Sequence, residues 1–108
     1  MKVGLPRVIK EYIDASNAHD AKAIASCFSD DALVHDEGKD FRGRKMIEDW
    51  AGQTIERYNF QFKPLRIKSD AAKVAVSIEV SGTFPGSPVS PDYRFTIEGD
   101  KIVSLAIE

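Results

Sequence analysis

Three helices covering one face of a curved, mostly antiparallel sheet, an α+β layout, is the fold class the sequence predicts. Two patterns predict it. Up to Tyr58, apolar residues recur three and four apart in three segments, the period of a helix with one buried face. From Phe60 onward they alternate with polar residues, the period of half-buried strands, and short connections join the runs. A length of 108 residues suits one domain, 1–108, with a real core of its own.

The elements follow in order. Leu5, Val8, Ile9, Tyr12, Ile13 and Ser16 form the stripe of a first helix, and Pro6 is tolerated in its first turn. Asn17 ends that helix. Asp20 caps a second, in which Ala23, Ile24, Cys27 and Phe28 face inward. A strand from about Ala32 to Asp36 comes next, then a polar, glycine-bearing loop from Glu37 to Gly43. The third helix runs from about Arg44 to Tyr58, with Ile47, Trp50, Ala51, Thr54, Ile55 and Tyr58 on one stripe.

Four strands complete the chain. Phe60 and Phe62 alternate with polar neighbours, whereas Leu65 and Ile67 continue in the opposite phase, so a bulge or kink is expected at Pro64. Val74, Val76, Ile78, Val80 and Phe84 form the buried face of the clearest strand. Pro85 to Pro91 is a proline-rich loop. Tyr93, Phe95 and Ile97 face inward on the next strand, Gly99-Asp100 turns tightly, and Ile102 to Ile107 returns antiparallel.

Composition narrows the function classes. With 43% hydrophobic and 30% charged residues the chain is of ordinary globular type. A net charge of -2 and scattered basic residues argue against nucleic acid as a partner. No segment is long and apolar enough to span a bilayer, and Met1 to Lys10 lacks an uninterrupted apolar segment, so neither a membrane partner nor a signal peptide is expected. The single cysteine, Cys27, reads as a small buried hydrophobe, and a reducing, cytoplasmic location follows as the expectation.

One residue breaks the pattern. Ala32, Val34 and Asp36 share a strand face, yet an unpaired buried carboxylate is costly. Asp36 therefore sits at an open rim or in a pocket that uses it. Tyr12 lies on the apolar stripe of its helix, where a buried phenol must find a partner. His35 points to the opposite face from Asp36, so no His-Asp dyad forms, and His19 belongs to an exposed helix junction. His35, Asp36, Glu37 and Asp40 match no recognised ligand spacing, so no metal site is expected from them. Each candidate also has a plain structural reading: Tyr12 as a core tyrosine, Asp36 as a solvated strand end, Asp92 as a turn residue after Pro91 and Trp50 as a core anchor.

The stretch "VIKEYIDASNAHDAKAIASCFSDDALVHDE" (Val8 to Glu37), with "FRGRKMIEDW" and "GDKIVSL", resembles the nuclear-transport-factor-2-like superfamily, also called cystatin-like. The likeness is to its SnoaL-like and ketosteroid-isomerase-like members. It implies a cone-shaped sheet wrapped around three helices, with a pocket between them. It also implies a homodimer paired through the outer sheet faces, where Glu79 and Arg94 would need partners across the interface. In the isomerases an aspartate at the end of the first strand moves a proton beside a carbonyl. A first-helix tyrosine and a protonated aspartate on a late strand hold the oxygen. By resemblance Asp36 is the base, Tyr12 the oxyanion tyrosine and Asp92 the second donor. Strand alternation instead turns Tyr93 inward, one residue away, so both positions stay open. Phe28 and Ala51 fall where supporting phenols occur in some isomerases.

The function so implied is an isomerase-like enzyme acting on a small apolar carbonyl ligand, which needs neither a metal nor an organic cofactor. Its wall would comprise Val34, Trp50, Phe60, Phe62, Val76, Ile78 and Phe95. Two alternatives stand beside it. One is a non-catalytic ligand-binding or dimerisation module. The other is a polyketide-cyclase or epoxide-hydrolase-type enzyme, the latter drawing on Asp92 and Arg94 on one strand face.

Overall fold

A computed structural model describes residues 4–108, so the signal-peptide expectation at Met1 to Lys10 lies partly outside the described residues. The order is α1 (Arg7–Asn17), α2 (Ala21–Ser26), β1 (Phe28–Asp36), β2 (Lys39–Arg42), α3 (Arg44–Tyr58), β3 (Gln61–Asp70), β4 (Lys73–Ser81), β5 (Asp92–Glu98) and β6 (Lys101–Ile107). The six strands form one sheet in the order β2-β1-β6-β5-β4-β3. Every pairing is antiparallel except β1 with β6. The helices lie on one face, as the periodicity predicts.

Local chemistry places the helix ends. The Asp20 carboxylate accepts from Ala23 N–H at 3.0 Å and starts α2. Asn17 ends α1 and also ties it to the sheet, accepting from Phe62 N–H at 2.6 Å and donating to Phe62 O at 3.0 Å. His19, expected to be exposed, is half-buried: its Nε2–H donates to Phe60 O at 2.6 Å. That bond fixes the left-handed junction between α1 and α2, where His19 has φ 55°.

Three segments differ from the sequence reading. Phe28 does not continue α2; the helix stops at Ser26 and Phe28 opens β1, pairing with Ile102. The loop Glu37 to Gly43 contains β2, which turns back through Gly38 and pairs with β1 from Leu33–Arg42 to Asp36–Lys39. This edge strand is short and mostly exposed, so it leaves no apolar alternation to read. The slip at Pro64 is present, as a register shift between Pro64 and Arg66. The next strand ends at Ser81 rather than reaching Phe84.

The pleat sorts the sheet into rows. Val34, Leu105, Phe95 and Val74 align across β1, β6, β5 and β4, and all are buried under the helices. His35, Ala106, Arg94 and Ala75 form the adjacent row on the opposite face. Arg94 faces carboxylates of its own chain, Glu108 at 3.4 Å and Asp92 at 3.9 Å. Cys27 is buried, and burial pushes its thiol up to about 11, which leaves it unreactive at neutral pH.

Candidate functional site

A cavity of about 310 Å³ opens where the sheet and the helices diverge. Register explains its floor. Tyr93 pairs with Ile107, and His35 pairs with Ala106. Asp36, one residue past His35, therefore shares a row with Tyr93, with β6 between them. Two strand spacings separate their backbones by roughly 10 Å, room for a small molecule. α1 lays Tyr12 over this row, its ring centroid 6.4 Å from that of Tyr93. α3 contributes Trp50, Ala51 and Thr54.

Asp36 is half-buried and held from one side: Trp50 Nε1–H donates to its Oδ2 at 3.0 Å. Its carboxyl is raised above the ordinary carboxylate range. Burial is the main cause; the Trp50 hydrogen bond opposes it, and the neighbouring Glu37 adds to it. The phenols are raised too. Burial is the main cause for Tyr12, followed by Tyr93 and Asp36; for Tyr93 it is burial, then Asp36. Both therefore keep their protons at neutral pH and are available as hydrogen-bond donors. Ser16, buried at the end of the cavity, donates to Tyr12 O at 2.7 Å and eases the Tyr12 phenol slightly back down. Among the described residues the Tyr93 hydroxyl makes no side-chain hydrogen bond, although the residue is only 5% exposed.

The expected site residues divide cleanly. Asp36, Tyr12, Tyr93, Trp50, Phe60 and Phe62 all line the cavity. Asp92 does not: it lies on the other side of β5, where its Oδ1 accepts from Ser77 Oγ at 3.1 Å. Pairing of Ser77 with Asp92 and Val76 with Tyr93 fixes this, because no bulge between Pro91 and Tyr93 reverses the pleat. Arg94 shares that outer face, so Asp92 and Arg94 cannot flank a water in the cavity. Val34, Val76, Ile78 and Phe95 are buried but belong to the core, packed under the helices at the middle of the sheet. His35 also points outward, its Nδ1 2.6 Å from Asp40 Oδ1. No group of three or more potential metal ligands occurs among the described residues.

The sequence places the Pro85–Pro91 loop where it opens or lids the pocket, but does not assign Tyr58, Glu37 or Phe84 to the mouth. Tyr58, Glu37, Phe84, Pro85, Val89 and Pro91 line it. Tyr58 O–H donates to Glu37 Oε1 at 2.8 Å, joining the end of α3 to the β1–β2 turn, and Phe84 packs edge-on against the Tyr58 ring at 5.4 Å. Gly82 permits this closure: a Cβ there would collide with the Tyr58 backbone oxygen. Tyr58 lay on the predicted α3 stripe, but its meeting with Phe84 and Glu37 depends on where two turns place their ends. Among the described residues no helix is long and apolar enough to cross a membrane.

This architecture, three helices against a curved six-strand sheet with a cavity between, has counterparts among known proteins. Residues 9–105 match the family model of the SnoaL-like domain, and the chain belongs to that family. It is similar to a Sinorhizobium meliloti protein described as a "putative polyketide cyclase", with 36% identity and a TM-score of 0.92 over 96% of this chain and 95% of that one. A Catenulispora acidiphila protein with a ketosteroid-isomerase-like fold, solved with trimethylamine, shares 18% identity, with a TM-score of 0.85 over 97% of this chain and 86% of that one. A cystatin-fold protein of Novosphingobium aromaticivorans shares 20% identity, with a TM-score of 0.81 over 97% and 99%. Both of these share the fold. Among curated proteins none matches the chain.

Proposed function

We propose that the protein is an isomerase-like enzyme that moves a proton on a small, largely apolar carbonyl compound. One observation carries the reading: a carboxylate raised by burial and two protonated phenols line one cavity from different sides. Asp36 takes a proton from the carbon next to the carbonyl. The C–H electron pair forms the enolate, and its charge rests on the oxygen. Tyr12 and Tyr93 donate hydrogen bonds to that oxygen, and Asp36 returns the proton to the original carbon or to a conjugated one. Trp50 positions the carboxylate through Oδ2, leaving Oδ1 for the proton. Trp50, Phe60 and Phe62 supply the apolar wall.

The chain's own groups account for every transfer, so the proposal requires no metal or organic cofactor. It includes a homodimer, as the family resemblance implies, and a cytoplasmic location. A cyclase reading is favoured by the likeness to the Sinorhizobium protein. It shares the first step and differs in the second, where the enolate carbon attacks another carbonyl of the same substrate instead of being reprotonated.

The test is an ultraviolet assay of conjugation with a β,γ-unsaturated ketosteroid and with a β,γ-unsaturated cyclohexenone, comparing wild type and Asp36→Asn. Turnover that collapses in the variant is the expected result. No turnover with either ketone would remove the isomerase reading and put a ligand-binding module ahead.

A further inference from the structure

A second chamber of about 230 Å³ adjoins the first. The two share Asp36, Glu37, Trp50 and Thr54, so Asp36 stands at their boundary. Their chemistry differs. Phe60, Phe62 and Tyr93 are found only in the first; Lys39, Phe41, Gln53 and Arg57 are found only in the second.

Glu37 is engaged through both carboxylate oxygens and Asp36 through one, whereas the cationic donors of the second chamber are largely free. Glu37 Oε1 accepts from Tyr58, and its Oε2 faces Arg57 at 3.7 Å. Asp36 Oδ2 accepts from Trp50. Among the described residues Lys39 is in no ion pair and the Gln53 amide in no hydrogen bond. Arg57 faces Glu37 through one terminal nitrogen only, which leaves further guanidinium N–H groups for another acceptor. Spare cationic donors suit an anion, and a guanidinium fork matches a carboxylate.

We infer that the ligand is a keto acid that spans both chambers, its apolar ketone end in the first and its carboxylate in the second, against Lys39 and Arg57. The ketone assignment rests on the function proposed above; the carboxylate assignment rests on the second chamber alone. The arrangement places the carbon between ketone and carboxylate at Asp36, where its C–H breaks, its proton passes to Asp36 and the electron pair enters the enolate.

The two assignments are separable by experiment. The probes are 4-oxo-4-phenylbutanoate, its neutral methyl ester and the corresponding amino ketone, with binding followed by quenching of Trp50, the single tryptophan of the chain. The acid is expected to bind about 5- to 10-fold more tightly than the ester at low salt, as two exposed charges allow. That preference is expected to shrink at high salt. In the double variant Lys39→Gln/Arg57→Gln it is expected to fall to about 2-fold or less, with folding confirmed by cooperative thermal melting. Equal or tighter binding of the ester or the amine, a preference that survives the double variant, or no binding of any probe at millimolar concentration would overturn the inference. Exchange of the ketone α-protons into deuterated water, read by NMR on the ester with wild type and Asp36→Asn, tests the proton shuttle separately. Exchange without acid preference sinks the second chamber alone; acid preference without exchange sinks the shuttle alone.

Discussion

His35 and Asp36 are neighbours in β1, and so are Asp92 and Tyr93 in β5, yet each pair is split between two environments. Outward lie His35 and Asp92, bonded to Asp40 and Ser77, polar groups that satisfy one another near water. Inward lie Asp36 and Tyr93, where burial raises both groups and Asp36 acts on the phenol across the cavity. The lesson is that residue type does not assign chemistry on this sheet. The pleat does, because it decides which carboxylate loses its water.

The most direct way to break the comparison is to neutralise one carboxylate on each face. Asp36→Asn is expected to lower turnover of a β,γ-unsaturated ketone by about 10³-fold, within the range for a general base. Asp92→Asn is expected to leave turnover within about 2-fold. Steady-state kinetics on both variants checks the contrast; comparable losses would show that the inward face holds no special carboxylate. Removing one oxyanion donor, in Tyr93→Phe, should cost about 10²-fold in kcat, with a smaller change in KM.

Stability sharpens the same contrast. A carboxyl whose pKa is raised on folding contributes fully below its unfolded pKa and loses that contribution as pH rises through the folded value. Wild type should therefore lose stability across the window from the ordinary carboxylate range up to the raised pKa of Asp36, whereas Asp36→Asn should not. Thermal melts of the two as a function of pH should diverge upward through that window. In Trp50→Phe, which removes the donor holding the pKa down, the acid limb of the pH–rate profile should move to higher pH. At the mouth, Gly82→Ala should cost about 1–3 kcal/mol, because backbone lies where the methyl would go. The smallest effect belongs to the outer face: Asp40→Asn removes an exposed pair with His35 and should change stability by about 1 kcal/mol or less. Denaturant melts rank the last two.

Much of this was legible in the sequence because it depends on period and local capping. Helical spacing assigned Tyr12, strand alternation turned Asp36 inward, Asp20 capped α2, and the phase slip placed the bulge at Pro64. These are short-range signals, and each residue carries its own part of them. The strand β2 was not legible, because an exposed edge strand buries no alternating face and draws its hydrogen bonds from a partner strand. The choice between Asp92 and Tyr93 needed the register of β4 against β5, a pairing between distant segments. The mouth and the second chamber needed more still: Glu37, Tyr58 and Phe84 meet only once the turns that carry Glu37 and Phe84 are placed against the end of α3. The sequence by itself determined which faces are buried, since burial follows the period of apolar side chains. Only the tertiary structure decided which buried polar groups share a cavity and how much water each keeps, since desolvation is a property of the whole surrounding surface.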